Sequence, residues 1–199
     1  FIAKLTRQAA GRMLTDAHPG EYEHIKETLM QNVIMHKIDG IADWRKFLEH
    51  AEYAVRRYGI KHAILDNISS TNLDLDDKKA FDDFAKECQS FWKKTGAHLH
   101  VVAHPRKPGD EGMKKVPTAD AIKGSGTFID LFWNVLIVHR KESDSASINC
   151  FKQRETSDKP KAELEFNPDS GRFRIRGQPD DTKPYITYNN KPQSTDLPE

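Results

Sequence analysis

The chain of 199 residues carries 31 lysines and arginines against 30 aspartates and glutamates, a formal net charge of +1. That balance excludes whole-molecule attraction to a polyanion and leaves only local basic patches for nucleic acid. No apolar run approaches the roughly 18–20 residues that cross a bilayer, so no membrane partner is expected, and the length needs only one domain with a real core.

Ile2 to Leu14 reads as a helix, stopped by Asp16-Ala17-His18-Pro19-Gly20 because proline and glycine together end helices. Glu21 to Gln31 reads as a second helix. Val33 to Ile38 is a short strand candidate, closed by the turn residues Asp39-Gly40. Asp43 is placed to cap a helix whose apolar face is Trp44, Phe47, Leu48, Ala51 and Val55 and which ends at Gly59.

The run Lys61-His62-Ala63-Ile64-Leu65-Asp66-Asn67 is β-rich and ends on a carboxylate. From Leu75 to Lys94, Ala80, Phe81, Phe84, Ala85, Cys88, Phe91 and Trp92 recur at three- and four-residue steps, the mark of an amphipathic helix. A second strand, His100-Val101-Val102-Ala103-His104, follows. Strand, helix, strand with a crossover of that length forces the strands to run parallel, so Asp66 and His104 are expected at one edge of the sheet, where ligands of open α/β sheets bind.

Residues 105–117 lack apolar periodicity and form a long connector, of the kind that is usually functional or mobile. Thr118 to Asp130 contains a Gly-Ser-Gly interruption, and Val135 to Val138 is a clear strand. Beyond Ser147 the period changes to hairpins: Ile148 to Arg154, Ala162 to Phe166 and Arg172 to Ile175, with Asn167-Pro168-Asp169-Ser170-Gly171 as a turn. The tail from Gly177 has no core pattern and is expected to be extended or disordered. Cys88 and Cys150 suit reduced core positions, which points to a cytosol-like compartment.

Several residues could carry chemistry, each with an ordinary alternative. Asp66 could hold magnesium through its water shell, or merely cap a turn. His104 could contact a phosphate oxygen, or be a hydrogen-bonded structural histidine. His98, His100 and His104 lack a cysteine or acidic partner at zinc-like spacing, which argues against zinc. Arg106, Lys107, Lys114 and Lys115 concentrate cations after the second strand, and Lys123-Gly124-Ser125-Gly126 adds open backbone amides; together they suit a single-stranded nucleic acid backbone, whereas Asp110 and Glu111 suit a solvated loop. No aromatic residue stands in the loop, so binding there would read backbone rather than bases. Lys152 and Arg154, two apart in a strand, leave from one face and form either an anion site or an exposed pair of hairpin charges.

Ala63-Ile64-Leu65-Asp66-Asn67, Val101-Val102-Ala103-His104-Pro105-Arg106-Lys107, Ile122-Lys123-Gly124-Ser125-Gly126 and Lys152-Gln153-Arg154, in this order, resemble the RecA-like helicase domain of phage primase-helicases, of Twinkle and of DnaB-type replicative helicases. The resemblance implies a three-layer α/β fold, with a mainly parallel central sheet and C-terminal antiparallel hairpins, over residues 1–176, and a tail over 177–199. It implies a ring, usually a hexamer, that threads single-stranded DNA and hydrolyses ATP or another NTP with Mg2+, with a primase and a polymerase as further partners and a phage protein in its host's cytoplasm, or a mitochondrial one, as the setting. By the same resemblance Asp66 is the Walker B carboxylate and His104 the sensor. Arg106, Lys107, Lys114, Lys115, Lys123, Gly124, Ser125 and Gly126 would line the DNA channel, and Lys152 and Arg154 would reach the neighbouring subunit's nucleotide. The Gly-x-x-x-x-Gly-Lys-Ser/Thr phosphate loop does not occur in the chain, so the expectation is that the sequence starts inside the ATPase domain. A non-catalytic RecA-like DNA-binding or regulatory module is the alternative.

Overall fold

The computed structural model describes residues 1–14, 19–37, 40–104, 126–140 and 144–188. Its helices are α1 (Ile2–Ala10), α2 (Pro19–Asn32), α3 (Trp44–Tyr58), α4 (Lys78–Thr95) and α5 (Gly126–Leu131). The strands are β1 (His62–Leu65), β2 (His98–Val101), β3 (Asn134–Arg140), β4 (Ser145–Gln153), β5 (Lys161–Asn167) and β6 (Arg172–Ile175). β1 and β2 form a parallel pair, and β3-β4-β5-β6 are ordered in a four-stranded sheet in which β5 and β6 are antiparallel. This is the expected α/β architecture. Among the described residues no helix is long and apolar enough to cross a membrane.

The chain divides into two compact units, and β4 and β5 each pass from one to the other. In the first, residues 1–36, 142–146 and 163–199, α1 stops at Ala10 rather than at Leu14. The reason is Gly11, which turns left-handed at φ 74° and returns its N–H to Arg7 and Gln8. A Cβ at Gly11 would also stand 2.4 Å from the Thr182 carbonyl oxygen, so only glycine fits there. Ala9, Ala10 and Ile25 make a small core joined by Leu14, Leu29 and Ile186.

The first unit turns on one buried cation. Arg172 donates from Nε to Gln8 O at 2.7 Å, from Nη1 to Asp181 O and Lys183 O at 2.7 and 2.9 Å, and from Nη2 to Ala9 O at 3.4 Å. Its guanidinium carbon lies 3.8 Å from the centre of the Tyr185 ring. A buried charge is tolerated here because its fork is satisfied by four carbonyls and an aromatic face. Residues 177–188 form no helix or strand, yet they pack: Tyr185 N donates to Ala9 O at 2.7 Å and Ile186 enters the small core.

In the second unit, residues 37–141 and 147–162, α3 has the expected ends, whereas α4 starts at Lys78 rather than at Leu75. Asp43 caps α3 by accepting from Arg45 N, and Asp77 caps α4 by accepting from Lys79 N and Ala80 N. Gly59 and Gly96 end them in left-handed geometry. Most of the predicted apolar faces are buried: Trp44, Leu48 and Ala51 from α3 meet Phe81, Phe84, Ala85, Cys88 and Phe91 from α4 over Ala63 and Leu65 of β1, while Phe47, Val55 and Ala80 are partly buried and Trp92 is exposed. Trp44 and Phe84 pack edge to face, 5.2 Å apart at 83°. Burial, with Glu87 adding to it, pushes the Cys88 thiol up, and both cysteines are free and buried.

One predicted element is absent. Residues 33–37 form no strand, and Ile38 lies outside the described residues. Ile34 and Met35, adjacent and therefore on opposite faces of any strand, are 54% and 53% exposed. With both of these apolar side chains largely exposed, local β propensity lacks the burial that would complete a strand.

Candidate nucleotide site

β1 alternates exposed and buried residues, His62 and Ile64 outward, Ala63 and Leu65 inward. Its parallel register with β2 pairs His62 with His98 and Leu65 with Val101. Two further hydrogen bonds, Val102 N to Leu65 O and Ile68 N to Val102 O, both 3.0 Å, carry the pairing past the strand ends. Asp66, Asn67 and His104 therefore stand together at the carboxyl edge of the pair.

Asp66 and His104 are exposed and Asn67 is partly buried. Asn67 Nδ2 lies 3.1 Å from His104 Nε2, and Ser70 Oγ donates to Asn67 Oδ1 at 3.4 Å. With the amide donating, neutral His104 keeps its proton on Nδ1, a donor suited to an oxygen ligand. Asp66, with its exposed carboxylate, suits an ion that keeps most of its waters and takes its remaining ligands from nucleotide phosphates, the way Mg2+ is usually held. Among the described residues no group of three or more histidine, cysteine, aspartate or glutamate side chains is arranged to hold a metal by itself.

A second group forms at the carboxyl end of α5. Lys152 Nζ donates to Ile129 O and Asp130 O, both at 2.8 Å, and Arg154 Nη2 donates to Asp130 O. Lys152 belongs to β4 and Arg154 follows its end at Gln153. Gln89 Nε2 of α4 donates to Leu131 O at 2.9 Å, so three successive terminal carbonyls receive side-chain donors. Arg154 also lies 5.2 Å from the centre of the Trp133 ring, which packs on Trp92 at 5.2 Å. Burial, and then the neighbouring Arg154, lower the Lys152 pKa, while Asp130 opposes the shift.

His62, His98 and His100 make a third cluster, on the exposed face of the parallel pair. His62 Nδ1 lies 3.1 Å from His100 Nε2, and the His98 and His100 rings are 4.3 Å apart. His104, grouped with His98 and His100 by sequence spacing, stands apart from them, against Asn67. Arg106, Lys107, Lys114, Lys115, Lys123, Gly124 and Ser125 lie outside the described residues, while Gly126 is the first residue of α5. A groove of about 290 Å³ between α3 and α4, lined by Trp44, Leu48, Glu52, Glu87, Phe91 and Lys94, includes neither Asp66 nor His104.

Sequence reasoning quoted Asn67 without a role and missed Gln89 and Trp133. The position of Asn67 directly after Asp66 was the available signal. Gln89 and Trp133 gave none, because their partners are distant in sequence and fixed only by packing.

The AAA domain family matches residues 4–110, more than half of the chain. The chain belongs to the AAA domain family. The match takes in Asp66, Asn67 and His104 and stops before Lys152 and Arg154. Among solved structures, the ATPase domain of G40P is similar to this AAA domain, with a TM-score of 0.69 at 10% sequence identity over 86% of this chain and 68% of that one. At that identity the likeness shows the fold, RecA-like α/β. No curated protein matches the sequence.

Proposed function

We propose that this AAA domain is the C-terminal portion of a ring-forming, NTP-dependent replicative DNA helicase motor. The observation that carries the proposal is the placement of Asp66 and His104 on one carboxyl edge, with Asn67 bonded to the imidazole. In a RecA-like sheet that edge is where a ligand binds. Asp66 would take the magnesium of a bound ATP or other NTP through its water shell, and His104 would donate from Nδ1 to a phosphate oxygen. The triphosphate itself needs a phosphate loop supplied from outside these 199 residues. Lys152 and Arg154 would serve the nucleotide of an adjoining protomer in a ring, a hexamer by resemblance. Arg106, Lys107, Lys114, Lys115, Lys123 and the glycine step Gly124 to Gly126 would meet the backbone of single-stranded DNA.

The test is Asp66→Asn in protein that carries the phosphate loop. Magnesium-dependent hydrolysis should fall by about a thousand-fold, the scale of losing one charge-stabilising group in phosphoryl transfer, with nucleotide affinity changed far less. Wild-type turnover would refute the site.

One observation favours a second reading. Lys152 and Arg154 are engaged by carbonyls of their own α5, as in a non-catalytic RecA-like DNA-binding or regulatory module whose cations only cap a helix. Loss of hydrolysis in Arg154→Ala with an unchanged melting midpoint would speak for the motor. An equal loss of stability with unchanged hydrolysis would speak for the module.

A further inference from the structure

We infer that Trp133 is a positioning residue for Arg154, holding the guanidinium by its face so that its edge stays available to a phosphate; the inference rests on the finger reading above. A guanidinium has two kinds of contact to offer. Its planar face is attracted to an aromatic ring, and its in-plane N–H groups make hydrogen bonds. Arg154 makes one contact of each kind: its guanidinium carbon lies over the Trp133 indole, 5.2 Å from the ring centre, while Nη2 donates to Asp130 O. The residue is exposed and a guanidinium has five N–H donors, so donors beyond the one given to Asp130 O are left for a ligand.

Trp133 is itself placed by α4. Trp92 packs against it at 5.2 Å, tilted by 42°, and Gln89, one turn earlier on the same helix, fixes the neighbouring Leu131 carbonyl at 2.9 Å. α4 thus fixes the indole and the indole fixes the finger. Lys152 needs no such support, since two carbonyls at 2.8 Å already hold its ammonium. Trp133 is 43% exposed, a large apolar surface left half open to solvent beside a cation.

A double-mutant cycle in the ring-forming protein tests this. Trp133→Leu should lower kcat, at unchanged KM for nucleotide, from about two-fold to about thirty-fold, the range a cation–π contact spans. Trp133→Phe, which keeps an aromatic face, should restore most of the loss. In the Arg154→Ala background Trp133→Leu should have no further effect. NMR of the Arg154 side chain should show a ring-current shift that disappears in Trp133→Leu and persists in Trp133→Phe. An equal loss of kcat in both backgrounds, or none in the wild type, would overturn the positioning role while leaving the finger in place. Wild-type turnover in Arg154→Ala would instead overturn the finger reading and the inference with it.

Discussion

Asn67 Nδ2 lies 3.1 Å from His104 Nε2, so the residue next to the β1 carboxylate and the imidazole beyond β2 form one hydrogen-bonded unit. Because both strands end on the same edge, a ligand that moves one must move the other. Asn67→Leu should therefore release the His104 tautomer, seen as converging side-chain nitrogen shifts in NMR. Stability should change by only about 1 kcal/mol, as befits an exposed hydrogen bond. Nitrogen shifts identical to those of the wild type would refute the coupling.

The second unit depends on the packing of α3 on α4. Phe84 is fully buried and edge-on to Trp44. Phe84→Ala should destabilise that unit by about 3–5 kcal/mol, from lost transfer energy plus the cavity left behind. Urea unfolding followed by tryptophan emission measures it, and a loss below about 1 kcal/mol would mean that the site collapses freely.

In the first unit Arg172 replaces a larger apolar core. Arg172→Met keeps the length but leaves the carbonyls of Gln8, Asp181 and Lys183 without their donor. A loss on the order of 3 kcal/mol follows from charge-assisted bonds broken at a buried position. Amide exchange at Ala10 and Tyr185 should quicken with it, whereas wild-type exchange would show that the carbonyls find water at no penalty.

The histidine cluster gives the second unit a pH dependence. His100 has its pKa lowered, first by burial and then by the nearby charges of His98 and His62. The folded state thus binds fewer protons than the unfolded state between the lowered value and the ordinary 6.5. Stability must therefore rise with pH through that window and fall as acidification carries the protein down through it, with no further change once both states are protonated. In His100→Asn the melting midpoint should climb less between mildly acid and neutral pH. An unchanged slope would place the pH dependence elsewhere.

Much of the scaffold was legible because it is written locally. Asp43 with Gly59 bounded α3, and the three- and four-residue recurrence from Ala80 to Phe91 located the α4 core face. The crossover length alone required β1 and β2 to be parallel and so brought Asp66 to the edge of His104. What local signals could not supply was set by distant partners. Residues 33–37 have strand propensity yet form no strand, and Ile186 joins a core formed near the N-terminus. The two-residue spacing put Lys152 and Arg154 on one face of an expected strand, but β4 ends at Gln153, and only packing shows that both cations meet the end of α5.

The proposed nucleotide site is shared between protomers, and mixing of mutant subunits reports on that sharing. Asp66→Asn protein and Arg154→Ala protein, each reduced to residual hydrolysis alone, should regain part of the wild-type rate when mixed, since some interfaces then join an intact Asp66 to an intact Arg154. Mixed rings that stay as inactive as either parent would contradict the account.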